Sequence, residues 1–455
     1  MKKLSSMFAL TLISAFIISC SPSTGSNSNN TVSEKSVWTD DSVPSLKETY
    51  GEYFDTFGIA CEYKPWNSWE HPSELESSAV RQGLSKHADS ITMGNEFKPD
   101  SIIAIEWGKK SPEIKEETFT ASNGKTISVP VLKGLNQAAT ILQSCKDAGL
   151  TMRGHVLTWH SQTPDAFFAE NYQPETFNEL ITNLVDKETM TARHEWYIKT
   201  VLEFVSNWEA ENNEGRHIIW AWDVVNEAIA DDAQKTYSGD SQNWLRGSTK
   251  DKGKAPSAGG SRWYQIYESD EFIINAFRFA NAYAPEDVKL CYNDYNEYMD
   301  YNEGWKTSAI LHLVDELKAA PAKKVNGKDV SPRIDVIGMQ SHVGETWPGV
   351  PSYETALQRF LQTGLEVHVT EFDIAASSQS AAAELYGDYF AMLSKYGKKY
   401  SGENKVTNVT VWGISSQDSW ISKNGSQFPL LFDRDGNTYY PNASFDAVIN
   451  AVSEE

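Results

Sequence analysis

Eight short, mostly apolar runs recur along the chain, and helix-patterned stretches separate them. The runs lie at residues 57–61, 90–94, 151–157, 218–225, 288–292, 334–339, 366–370 and 409–414. A strand buried on both faces reads as a continuous apolar run rather than as strict alternation. The intervening stretches carry apolar residues at three-and-four spacing, as in Ile310, Leu313, Val314 and Leu317, or Tyr197, Val201, Leu202 and Val205. That spacing puts each set on one helix face. Eight strand–helix alternations predict an α/β fold, a (β/α)8 TIM barrel with long β–α loops on the catalytic face. A doubly wound open sheet is the alternative. No internal repeat at a solenoid period is present.

Two connections are long. Residues 106–133 contain an Asn123-Gly124 turn, and residues 231–260 are rich in Gly, Ser, Lys and Asp around Trp244. Both follow strands, which places them on the face where barrel enzymes carry their sites. They are expected either to wall the cleft or to decorate the surface.

Residues 1–20 read as a lipoprotein signal peptide. Lys2 and Lys3 precede an apolar stretch from Phe8 to Ile18, too short to span a bilayer, that ends in Ser19-Cys20. Cys20 is the expected lipidation site, making the protein an exported bacterial lipoprotein on a periplasmic or cell-surface membrane. Residues 21–37 are rich in Ser and Asn and form a flexible tether. Residues 38–455 form the catalytic barrel.

The formal net charge is −22, which argues against nucleic acid as a partner and suits a neutral polymer. Membrane association comes only through the lipid anchor, and a monomer is expected. Cys61, Cys145 and Cys291 are odd in number and widely spaced, so buried free thiols are expected rather than a disulfide framework. No His or Cys cluster has metal-ligand spacing, and no glycine-rich phosphate loop occurs.

Polar and aromatic residues collect where the strands end. They include Arg153-Gly154-His155 with Trp159 and Gln162, Trp222–Glu227, Tyr292–Asn296, Gly338–His342, Thr370–Asp373, and Trp412 with Trp420. Carboxylates and amides meet sugar hydroxyls, while tryptophan faces cover the apolar side of a ring. Glycoside hydrolysis needs one protonated and one ionised carboxyl flanking the scissile bond. Glu227 and Glu371, after the fourth and seventh runs, are the candidate pair, with Asn226 beside the first and His342 able to hold the second.

Five of these segments, Arg153–Pro164, Trp222–Glu227, Gly338–His342, Glu371–Asp373 and Trp412–Trp420, resemble glycoside hydrolase family 10, the endo-β-1,4-xylanases, and the resemblance spans residues 46–452. It implies a (β/α)8 barrel, retaining hydrolysis of internal β-1,4-xylosidic bonds in xylan or xylo-oligosaccharides, and no cofactor or metal. Glu227 matches the acid/base and Glu371 the nucleophile. Asn95, Lys98 and Gln162 match contacts to the distal glycone sugar. His155, Trp159, Asn226, Gln340, His342, Trp412 and Trp420 match residues around the sugar at the cleavage point, and Tyr295 an aromatic near the leaving side.

The chain departs from the family at Gly94, where glutamate is usual, at Pro99, where tryptophan is usual, and at Ser416, where aspartate is common. These changes bear on distal sugar binding. Trp66, Trp69 and Trp347 are candidates for stacking on further xylose units or for half-buried packing. His160 and His368 are expected to be structural hydrogen-bonders. Two other readings stay open: a related barrel glycanase acting on glucan or mannan, and a non-catalytic cell-surface glycan-binding lipoprotein.

Overall fold

The structure is a computed structural model that describes residues 36–64, 73–237, 243–301, 304–402, 404–422 and 428–452. The leader with Cys20, the tether up to residue 35, and Trp66 and Trp69 lie outside the described residues. Eight parallel strands form the centre: β1 (Thr56–Cys61), β2 (Ser90–Met93), β3 (Thr151–Trp159), β4 (Ile219–Asn226), β5 (Lys289–Asp294), β6 (Val336–Met339), β7 (Glu366–Ala375) and β8 (Val406–Val411). Each pairs with its neighbours in chain order, and β8 pairs back onto β1, so the sheet closes into a barrel. The open-sheet alternative is thereby excluded.

One long helix follows each strand. They are α1 (Ser78–His87), α2 (Leu135–Ala148), α3 (Lys187–Asn212), α4 (Glu271–Tyr283), α5 (Lys306–Ala319), α6 (Val350–Leu361), α7 (Gln379–Ser394) and α8 (Ala443–Asn450). The two apolar faces read from spacing are buried, on α3 and on α5. Local signals set the helix ends. Asp186 accepts from Thr189 N at 2.6 Å to open α3, and Asn442 accepts from Ser444 N at 2.9 Å to open α8. Gly149 takes φ 66 to close α2.

Three irregularities aim side chains at the barrel mouth. β7 holds Thr370 and Glu371 between Val369, opposite Val409, and Phe372, opposite Val411, which leaves one extra residue on β7. A bulge of this kind re-aims the side chains it carries. Comparable shifts interrupt β3 between His155 and Thr158 and β4 between Asp223 and Val225. Gly338 is required by close packing, because a Cβ there would stand 2.5 Å from Asn293 Oδ1.

The barrel interior is partly polar. Arg153 and Asp223 form a fully buried ion pair at 2.6 Å. His368 departs from its expected role: neither ring nitrogen has a hydrogen-bond partner among the described residues, and Glu366 stands 3.8 Å away. Burial pushes this imidazole down to about 4, so it is neutral. Cys61, Cys145 and Cys291 are buried free thiols.

The described parts of the long loops do not wall the cavity. Residues 106–133 fold into a hairpin, Ile114–Thr120 against Thr126–Pro130. Its tip residue Ser122 donates N–H and Oγ–H to Glu195 on α3, at 2.8 and 2.5 Å. No described residue of either loop lines the cavity.

Candidate active site

A cavity of about 750 Å³ opens at the carboxyl ends of the strands. It is lined by Glu227 and Glu371 together with Asn95, Lys98, His155, Trp159, Asn226, Tyr295, Gln340, His342, Trp412 and Trp420. Gln162 stands off the wall, its Oε1 accepting from Lys98 Nζ at 2.9 Å. Segments far apart in sequence converge because each follows a different strand of one closed sheet.

The two glutamates share a hydrogen-bond relay. Gln340 Nε2 donates to Glu227 Oε1 at 3.0 Å and to Asn226 Oδ1 at 3.1 Å. Asn293 Nδ2 donates to the same Asn226 oxygen at 3.1 Å and to Glu371 Oε1 at 2.8 Å. Gln340 also takes the Glu371 backbone N–H on its carbonyl at 3.0 Å. Both side chains are therefore fixed by one set of amides.

Their charge environments differ. His342 Nε2 lies 3.3 Å from Glu371 Oε2, and its Nδ1 lies 2.8 Å from Asp373 Oδ1. Burial disfavours the imidazolium, but Asp373 and Glu371 more than offset this and hold His342 well above its ordinary range. Burial likewise pushes Glu371 upward. The His342 hydrogen bond, with His155 and His342 close by, wins and leaves the carboxyl below its ordinary range. Glu371 thus stands ionised beside a cation.

Among the described residues Glu227 meets only neutral donors at its carboxylate: Trp159 Nε1 at 2.9 Å, Gln340, and Asn226 Nδ2 at 3.3 Å. His160 is 3.9 Å away and is held neutral by burial. Among the described residues its Nδ1 has no hydrogen-bond partner. The Glu227 backbone takes φ 56, a left-handed conformation that costs a non-glycine residue about 1–3 kcal/mol. Arg246 grips that backbone, donating Nε–H to the Glu227 carbonyl at 2.6 Å.

Several residues that the sequence left unmarked support the site. Arg246 comes from the 231–260 connection and also reaches Tyr295 Oη at 3.0 Å. Tyr295 Oη donates to Asp231 at 2.9 Å. Lys306, fully buried, pairs with Asp231 at 2.6 Å and Asp294 at 2.9 Å. Their strand-end and loop positions were visible in the sequence, but nothing in the spacing marked which side chain would point inward.

A family model described as glycosyl hydrolase family 10 matches residues 45–451. The chain belongs to glycosyl hydrolase family 10. Among family relatives, the bifunctional endo-1,4-beta-xylanase XylA of Ruminococcus flavefaciens is 32% identical over 90% of this chain and 34% of its own length. Endo-1,4-beta-xylanase B of Butyrivibrio fibrisolvens is also 32% identical, over 90% of this chain and 54% of its own. The chain thus spans a third to a half of these relatives. The Clostridium thermocellum endo-1,4-beta-D-xylanase 10B CBM22-1–GH10 modules, solved with xylohexaose, superpose with TM-score 0.66 at 29% identity, over 89% of this chain and 67% of theirs. The solved structures share the closed eight-stranded barrel.

The family departures have local explanations. Pro99 is the first residue of a short helix, Pro99–Ile103, behind Lys98. Ser416 is buried and fastens the loop after β8, accepting from Leu430 N at 3.2 Å. Asp418, two residues on, lines the cavity instead and pairs with Arg434. Trp347 is partly exposed and packs edge-on against Tyr298, centroids 4.9 Å apart. Tyr298 Oη in turn donates to the His342 carbonyl at 2.9 Å.

Proposed function

We propose that this chain is a retaining endo-hydrolase of β-1,4-xylosidic bonds in xylan and xylo-oligosaccharides, with Glu371 as nucleophile and Glu227 as acid/base. The observation that carries this reading is the asymmetry of the pair: His342, placed between Glu371 and Asp373, sits on Glu371, while among the described residues only indole and amide donors sit on Glu227. Family membership and likeness to endo-1,4-beta-xylanases support the choice of xylan.

In this reading Glu371 attacks the anomeric carbon while Glu227 gives its proton to the leaving glycosidic oxygen. The C–O bond breaks and a glycosyl ester forms on Glu371. Glu227, now ionised, takes a proton from water, whose oxygen attacks the same carbon and frees Glu371. His342 keeps the nucleophile charged before each turnover. His155, Trp159, Asn226, Gln340, His342, Trp412 and Trp420 surround the sugar at the cleavage point. Asn95, Lys98 and Gln162 serve the next sugar on the glycone side, and Tyr295 the leaving side. Trp347 is a platform for a further leaving-side unit.

Proton NMR of xylotetraose digestion is expected to show the β-anomer forming first. Glu371→Ala and Glu227→Ala are expected to abolish turnover of xylan while retaining oligosaccharide binding. Inversion, or wild-type turnover in both variants, defeats the assignment. We also propose, from residues 1–20, export and lipid anchoring through Cys20, as a monomer. Palmitate labelling lost in Cys20→Ala, and the mass in solution of the protein without its leader, check both.

A further inference from the structure

Three carboxylates on the cavity wall, Glu62, Glu74 and Asp418, have no task in the mechanism; Glu74 is taken up by the Glu62 backbone N–H and Asp418 by Arg434. Glu62 follows β1 and lines the wall beside Gly94, Asn95 and Lys98. Its Oε1 accepts from Asn95 Nδ2 at 2.6 Å. Asn95 Oδ1 accepts from Lys98 Nζ at 3.1 Å, and Lys98 continues to Gln162. Glu62 is therefore the outer end of a hydrogen-bonded row. The row adjoins the cleavage point, because Lys98 Nζ lies 5.0 Å from the centre of the Trp159 ring, whose indole N–H meets Glu227.

The carboxylate is held in place with one oxygen to spare. The Glu62 backbone N–H donates to buried Glu74 at 2.6 Å, and its carbonyl accepts from Leu75 N at 3.0 Å. Among the described residues no hydrogen bond or ion pair reaches Oε2. Gly94 provides the room. A Cβ there would stand 3.5 Å from Glu62 Cγ and 3.9 Å from Oε1, so a longer side chain would grow into the space the carboxylate occupies.

Charge in the row is unequal in reach. Lys98 is buried, and its ammonium is engaged by Asn95, Gln162 and the Trp159 ring. Glu62 is partly exposed to the cavity, with one oxygen that no described residue engages. A ligand arriving there meets negative charge before positive.

We propose that Glu62 is a specificity-determining residue, accepting a hydroxyl hydrogen from the sugar beside Asn95 and Lys98 and turning away chains whose xylose at that place carries a uronic acid. A sugar hydroxyl gives the carboxylate a charge-assisted hydrogen bond. A uronate there brings a second negative charge into a half-enclosed cavity, where like charges repel more strongly than in water. The inference rests on the glycone-side reading of the row made above.

The test compares wild type, Glu62→Gln and Glu62→Leu on xylotetraose and on xylo-oligosaccharides bearing glucuronic acid on one defined xylose, with cut positions mapped by mass spectrometry. Wild type is expected to give no products with the uronate on the second sugar from the new reducing end. Glu62→Gln, which keeps the shape and an acceptor, is expected to yield those products and to raise the uronated-to-plain ratio of kcat/KM about tenfold. Glu62→Leu is expected to raise KM on plain xylotetraose about tenfold, with kcat less changed. Wild-type products carrying the uronate at that sugar, or an unchanged ratio in Glu62→Gln, overturn the proposal. If wild type fails to cut plain xylotetraose, the reading as a hydrolase of xylosidic bonds falls and this inference falls with it; the two failures are distinguishable.

Discussion

Asn293 donates its side-chain amide to the Glu371 carboxylate at 2.8 Å, and the same nitrogen reaches Asn226 at 3.1 Å. Thr370 fixes the amide from behind, donating Oγ1–H to Asn293 Oδ1 at 2.6 Å. One asparagine thus ties the nucleophile's strand to the acid/base's strand. Asn293→Ala removes both donors and leaves Thr370 without its acceptor. Loss of such a supporting partner typically costs 10–100-fold. The expected result is a kcat on xylan lower by about that factor, with KM less affected, checked by steady-state kinetics alongside the melting temperature.

His342 sets the acid limb of the pH profile. Glu371 must be ionised to attack, and the His342 hydrogen bond and charge hold it below its ordinary range against the effect of burial. Without them, burial acts alone and the folded pKa rises. His342→Ala is therefore expected to lose activity at a higher pH than wild type as the solution is acidified. The free-enzyme profile of kcat/KM between pH 3 and 8 reads this directly. An acid limb that stays in place sinks the role given to His342.

The barrel was legible because its strands are buried on both faces, and all eight apolar runs coincide with strands to within a few residues. The helix faces of α3 and α5 were legible for the matching reason, a period near 3.6. Glu227 and Glu371 stood out by sitting beside amide and aromatic residues at strand ends. Direction was not legible. The sequence cannot show that β7 bulges at Thr370 and Glu371, nor that Asn293 rather than its neighbours points at the nucleophile. Nor does spacing reveal long-range pairings: Arg246 on the Glu227 carbonyl spans 19 residues, and Lys306 on Asp231 spans 75. The 106–133 connection, expected either to wall the cleft or to decorate the surface, packs on α3 because Ser122 satisfies the buried Glu195 carboxylate.

Arg246 is expected to act through Glu227's backbone rather than on substrate. It holds the carbonyl of a residue in a left-handed conformation, and its guanidinium is also engaged by Tyr295. Arg246→Met frees that backbone and misaligns the acid. Proton donation matters most when the leaving group is a poor one. The variant is expected to lose about 10²–10³-fold on xylotetraose and markedly less on an aryl xylobioside with a good leaving group. An equal loss on both substrates contradicts a role in positioning the acid.

The buried pair Arg153–Asp223 ties stability to pH. Both side chains are fully buried, at 2.6 Å, and Asp223 also accepts from His155 at 2.9 Å. Burial pushes the Asp223 carboxyl up, but Arg153 and His155 more than offset it, so the folded pKa lies below the ordinary value. A depressed carboxyl contributes stability that is fully present above the unfolded pKa, about 4, and is lost as pH falls through the folded one. Asp223→Asn removes the charge and leaves Arg153 buried without its counter-ion. Breaking a buried pair in this way costs about 3–5 kcal/mol. Urea unfolding at pH 7 is expected to show a loss of that size. The gap between wild type and variant is expected to persist at pH 5 and to narrow below about pH 4, as the wild-type carboxyl begins to protonate in the unfolded chain. A gap that widens on acidification gives the opposite sign and excludes a depressed Asp223.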